Sequence, residues 1–176
     1  LCARERASNH SQIRAGLQGE TAALVVYASD QSHSSVKKAA LLAGFGLDNL
    51  RTIGTDKNFA MDVQLLKEAI EEDIAKGFKP RTVVATTGTT STTALDPIGR
   101  IAKITQQCGI WLHVDAAMAG SAMILPEYRW MWHGIEDADS LVLNPHKWLG
   151  VVFDSSLYFV RDAQHLIRVM STNPSY

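Results

Sequence analysis

Short apolar runs alternate with amphipathic segments along nearly the whole chain, and this alternation constrains the fold more than any other feature. Residues 22–27, 50–53, 82–86, 110–114, 141–143 and 156–160 read as strands. Runs that stay apolar at consecutive positions suit strands covered on both faces. Between them lie segments with helical spacing, at 1–18, 32–42, 61–76, 97–109, 126–137 and from 163 to 170. The pattern is clearest over 61–76, where Val63, Leu66, Ala69 and Ile70 share one face and Glu68, Glu71 and Glu72 take the other. Strands alternating with helices of this length predict an α/β fold, a mainly parallel sheet flanked by helices. No repeat or linker divides the chain, so one layer system is expected.

Composition narrows the function classes. The 176 residues include 17 basic and 18 acidic side chains, for a net charge of -1. That balance argues against a nucleic-acid-binding surface and against a polybasic membrane binder. No apolar run approaches the ~20 residues of a membrane span. Cys2 and Cys108 form neither a disulfide framework nor a Cys-x-x-Cys metal motif, which suits a reducing, cytoplasmic setting. The chain begins at Leu1, shows no secretory leader pattern, and stops at Asn173-Pro174-Ser175-Tyr176; we expect it to be part of a longer protein.

Ligands of open α/β sheets bind beyond the carboxyl ends of the strands. Four polar clusters fall there: residues 30–33, residues 86–90, Asp115, and residues 144–147. Asp115 closes an apolar run and is followed by the small residues Ala116, Ala117, Ala119 and Gly120, which leave room for a flat ligand. A carboxylate so placed needs a partner, either a helix-capping amide or a protonated ring nitrogen. Lys147 follows a buried strand and stands between His146 and Trp148, a poor setting for a solvated charge. A lysine drawn out of water becomes a nucleophilic amine able to form a Schiff base. Asn144 and His146 add donors suited to a phosphate. The threonine-rich stretch at 86–90 lacks the lysine of a P-loop and any Gly-x-Gly-x-x-Gly spacing, which disfavours nucleotide binding. His33 sits in a serine-rich helix start, where it reads as part of a cap or as an imidazole stacked on a ligand ring. Taken together, these groups describe a pyridoxal 5'-phosphate site.

The same segments carry a resemblance. Ser29-Asp30-Gln31-Ser32-His33-Ser34-Ser35-Val36, Val84-Ala85-Thr86-Thr87-Gly88-Thr89-Thr90, the stretch from Trp111 through His113-Val114-Asp115-Ala116-Ala117 to Ala122, and Asn144-Pro145-His146-Lys147-Trp148-Leu149 resemble the pyridoxal-phosphate-dependent group II amino acid decarboxylases, most closely those acting on aromatic L-amino acids. The resemblance implies the large cofactor-binding domain of fold type I enzymes. It implies Lys147 as the aldimine lysine, and Asp115 as the partner of the pyridine nitrogen that stabilises the quinonoid carbanion. Ala117 and His33 would lie on opposite faces of the ring, with His33 also touching the substrate. Thr90 would contact the cofactor, and Asn144 and His146 would lie near the phosphate. It further implies a small amino acid as substrate, a homodimer in the full-length protein, and an N-terminal segment, a small C-terminal domain and a catalytic loop that this chain lacks, so that the fragment alone is expected to be inactive. Met118 stands where many members carry tyrosine. Within the same family, glutamate- or diaminobutyrate-type decarboxylation and aldehyde synthesis are alternatives. A different class, a metal-dependent hydrolase, would use His113 and Asp115, two apart on one strand face, with His33 and His146. That reading leaves Lys147 and the threonine loop without a role.

Overall fold

The computed structural model describes residues 1–172; the terminal stretch 173–176 noted above lies outside the described residues. The strands form one six-stranded sheet: β1 (Leu24–Ser29), β2 (Leu50–Ile53), β3 (Lys79–Thr86), β4 (Trp111–Asp115), β5 (Ser140–Leu143) and β6 (Leu157–Val160). Their spatial order is β2-β1-β3-β4-β5-β6, and every pairing is parallel except β5 with the edge strand β6.

Alternate residues of the central strands face opposite ways. On one side Val25, Tyr27, Val83, Ala85, Leu112 and Val114 pack against α4 (Val63–Ala75) and α5 (Ile98–Cys108), which contribute Leu66, Ile70, Ile98, Ile101 and Ala102. The α4 start is set by Asp62, whose carboxylate accepts from the amides of Gln64 and Leu65. One polar group is sealed into this side. Buried Asp73 accepts from the Tyr27 hydroxyl at 2.7 Å and pairs with Arg51 at 2.7 Å. Burial, with the Asp73 carboxylate beside it, pushes the Tyr27 phenol well above its usual range. On the other side a smaller cluster places Val26, Ala28 and Val84 under α3 (Ser35–Leu42), through Val36 and Ala40.

Three expected helices come out differently. The one expected over 1–18 is divided into α1 (Cys2–Ala7) and α2 (Ser11–Ala15), because Asn9 and His10 both adopt positive φ, 51° and 65°. The break lets His10 reach α6 (Ala163–Met170), where its Nε2 lies 3.0 Å from His165 Nδ1. The helix expected over 126–137 is replaced by short 3-10 turns at Pro126–Trp132 and Ile135–Asp137, preceded by another at Ala119–Ile124. Gly134 interrupts them at φ 89°, and a Cβ there would come within 2.3 Å of Gly99 Cα. The helix expected over 32–42 begins at Ser35, since residues 30–33 form the turn at the mouth of the cavity described next.

Candidate active site

The second side of the sheet is covered by α3 and α1 only in part, which leaves a cavity of about 560 Å³ over the carboxyl ends of β3, β4 and β5. Its floor follows from the register. Thr86, Asp115 and Val142 lie abreast on neighbouring strands, and Tyr158 of β6 extends that row. One step back along the strands come Val84, His113 and Ser140. Residues 88–90, His33, Ala117, Met118, Asn144 and Lys147 form walls and rim.

Asp115 ends β4, and the chain turns sharply after it. Its Oδ1 accepts from the Ala117 amide at 3.0 Å, its carbonyl accepts from Thr87, and the Ala116 amide is donated to Val142. The small side chains make this turn possible, because Ala116 and Ala119 are fully buried beneath it. Opposite, Gly88 holds φ +78°, and a Cβ there would meet the Ala119 methyl at 2.3 Å. Glycine is therefore required where the threonine loop and the turn after β4 approach each other.

Asn144 and Lys147 are set by the turn after β5. Pro145 is buried and has no amide to satisfy, so the chain can leave the sheet there. The Asn144 amide donates to Ala117, the Lys147 amide to Asn144, and the Gly150 amide to Lys147. Asn144 is thus tied to the turn that carries Asp115, and Lys147 lines the same cavity.

His33 Nδ1 accepts from the Ser35 amide at 3.2 Å and lies 2.8 Å from Ser35 Oγ. An accepting Nδ1 leaves the hydrogen of a neutral ring on Nε2. Thr90 lines the cavity from an exposed position, while Thr89 is buried and braces the loop through Thr92 and the Ala94 amide.

The structure therefore brings His33, Thr90, Asp115, Ala117, Asn144 and Lys147 to one cavity, and it leaves His146 outside the lining. The His146 Nδ1 accepts from the Ser155 amide at 3.0 Å and lies 3.2 Å from Asp154, with its ring edge-on to Phe153. It ties the ends of the loop 145–155 together. Among the described residues no three His, Cys, Asp or Glu side chains gather as a metal-ligand set, so the hydrolase arrangement of His33, His113, Asp115 and His146 is not formed.

Trp111, Ser140 and Tyr158 on the floor were not singled out from sequence, and His113 entered only as a candidate metal ligand beside Asp115. The Ser140 hydroxyl accepts from Trp111 Nε1 at 2.8 Å and lies 2.8 Å from His113 Nδ1. Indole N–H can only donate, so the serine hydrogen is free for the imidazole. Burial pushes the His113 pKa down against the pull of Asp115, which keeps the ring neutral. Burial also pushes the Tyr158 phenol up. The period of two along β4, which places positions 111, 113 and 115 on one face, is the signal that identifies Trp111 and His113 with Asp115.

The conserved-domain model of the pyridoxal-dependent decarboxylases matches residues 1–176. The chain is 48% identical over 155 residues to a tyrosine decarboxylase of Papaver somniferum, covering 87% of this chain and 30% of that protein. It is 47% identical to a phenylacetaldehyde synthase of Arabidopsis thaliana, covering 87% and 32%. Among solved structures, Oryza sativa TDC with PLP and tryptamine superposes with a TM-score of 0.92 at 42% identity, over 99% of this chain and 36% of that one. The chain thus spans about a third of the length of the relatives it matches. With the whole chain matched by the domain and the fold shared at this identity, the chain belongs to the pyridoxal-dependent decarboxylase family.

Proposed function

We propose that the protein carrying this chain decarboxylates an aromatic L-amino acid, using pyridoxal 5'-phosphate held in the cavity over β3, β4 and β5. The observation that carries this reading is the meeting of Lys147 and Asp115 in one cavity, from the ends of neighbouring strands. The donor set fits the cofactor. Asp115 is a carboxylate for a ring nitrogen, and Lys147 is an amine for an aldehyde. Thr86 Oγ1 and Asn144 Oδ1 are buried polar atoms that no protein group satisfies, and both residues line the cavity.

When bound, pyridoxal phosphate supplies an aldehyde carbon for amine attachment and a ring that accepts the electron pair left as carbon dioxide departs. Lys147 would carry the cofactor and give way to the substrate amine. Asp115 would hold the proton on the ring nitrogen, with its Oδ1 steadied by the Ala117 amide. Ala117 offers a low surface to one ring face. His33, whose Nδ1 is engaged by Ser35 and whose Nε2 is left to face the ligand, would cover the other face and meet the substrate. Thr90 and Asn144 would hold the cofactor's polar substituents. His146 enters the proposal as the residue that joins the ends of the loop 145–155, on which Lys147 lies. A homodimer is part of the proposal and is checked by light scattering of the intact protein.

The relatives that act on aromatic substrates support that substrate class, and the aldehyde synthase among them makes an aldehyde product the second reading. The test uses the intact protein. Borohydride reduction with pyridoxal phosphate is expected to fix a pyridoxyl label at Lys147, found by peptide mapping. Tyrosine, dopa, tryptophan or phenylalanine should then yield the amine. A label on another residue overturns the site, accumulation of aldehyde selects the second reading, and activity lost to a chelator and restored by zinc overturns both.

A further inference from the structure

We infer that Thr86 is a positioning residue for Asp115, with a hydroxyl reserved for the occupied site; this rests on the cofactor reading above. Thr86 ends β3 and is the lateral partner of Asp115 in the parallel register, so both side chains leave the same face of the sheet side by side. The Thr86 main chain is held from two directions. Its amide donates to Asp96 Oδ2 at 2.7 Å, and its carbonyl accepts from the Asp96 amide at 2.9 Å. Asp96 is itself anchored, because its Oδ1 accepts from the Met61 amide at 2.7 Å.

Against this fixed backbone, the Thr86 hydroxyl is without a partner. Its Oγ1 is buried and unsatisfied, in a residue only 5% exposed that lines the cavity beside a carboxylate. A buried hydroxyl without a protein partner works against folding. Unlike Thr87 Oγ1, Ser121 Oγ and Trp132 Nε1, which are also unpartnered, Thr86 Oγ1 belongs to a residue that lines the cavity. Valine has the same shape and would fill the site at no such cost. Asp115 supplies the reason. One of its oxygens takes the Ala117 amide, and a second donor at the carboxylate would favour its charged form and fix its orientation. A charged, oriented Asp115 is what a protonated ring nitrogen requires once the cavity fills and water leaves. Thr86 thus acts through Asp115.

The experiment compares Thr86→Val and Thr86→Ser in the intact protein, with and without pyridoxal phosphate. Without cofactor, Thr86→Val is expected to melt higher than the wild type, by roughly 1–3 °C, since it removes an unsatisfied group. With cofactor, its affinity for pyridoxal phosphate should fall about tenfold, the order expected for one donor to a charged group. The pH at which the bound cofactor's absorbance changes should move with it. Thr86→Ser should restore both. Affinity within twofold of the wild type in Thr86→Val overturns the inference, as does a lower melting temperature without cofactor, which would mark the hydroxyl as structural. Failure of serine to rescue overturns it too. A wild-type protein that binds no pyridoxal phosphate overturns the function reading first, and this inference with it.

Discussion

The two faces of the sheet use the same strands for opposite ends. Toward α4 and α5, Val83, Ala85, Leu112 and Val114 are completely buried among other apolar side chains. Toward the cavity, the residues in between are Val84, Thr86, His113 and Asp115. Each large apolar side chain on the first face stabilises the fold by about 1.5–3 kcal/mol through burial. The second face has a smaller apolar cluster, around Val26, Val36 and Val84, and beside it carries buried polar atoms with no protein partner, Thr86 Oγ1 and Asn144 Oδ1. Stability and chemistry are therefore interleaved one residue apart. Rigidity on the closed face is what allows the open face to hold unsatisfied groups in place.

Substitutions that separate the two roles test this division. The largest effect is expected on the open face: Lys147→Ala should lower decarboxylation by at least about 10²–10⁴-fold while leaving the unfolding midpoint of the apoprotein within about a degree. Loss of stability in that variant would break the comparison. On the closed face, Leu112→Ala should cost about 2–5 kcal/mol in denaturant unfolding, with pyridoxal phosphate affinity unchanged under folding conditions. A change in affinity would show that the faces are not separable.

Asp96 sits at the seam between them and should show the smallest, pH-dependent effect. It is 4% exposed, and burial pushes its pKa up to about 6 against the pull of the Met61 and Thr86 amides. The unfolded chain releases this proton near the ordinary value of 3.8, whereas the folded one holds it to about 6. Its contribution to stability is therefore complete below pH ~4 and fades as pH rises through about 6. Asp96→Asn cannot titrate and loses one of two amide contacts, at about 1–3 kcal/mol. The stability difference between wild type and variant should shrink from pH 4 to 7. A constant difference would place the titration elsewhere.

The sheet was legible because continuous apolar runs such as 22–27 have few other uses than a strand covered on both faces. The polar residues at strand ends were legible for a related reason: Lys147 after a buried strand is poorly placed as a solvated charge, whereas Asp115 also admitted a capping role, which its bond to the Ala117 amide fulfils. What escaped was whatever depends on partners distant in sequence. Ser140 looks like an unremarkable strand start until the register sets it beside His113. His146 shares a motif with Lys147, yet the loop 145–155 folds back and engages its ring at Ser155. The 3-10 turns over 119–137 escaped because Pro126 and Gly134 break any helical period that the tryptophans suggest.

The parallel register of β4 also acts as a guard against misassembly. A slip of one residue would bring Val114 to the cavity and drive Asp115 into the apolar layer under α5, so a strand paired wrongly could neither bury its apolar set nor present its carboxylate. A slip of two would keep the alternation but set Asp115 beside Val84. The contacts at the strand's two ends forbid it, with the Leu112 amide bound to the Asp139 carboxylate and the Thr87 amide bound to the Asp115 carbonyl. Folding errors in this strand are consequently self-eliminating: the alignment that completes the core is also the one that assembles the site.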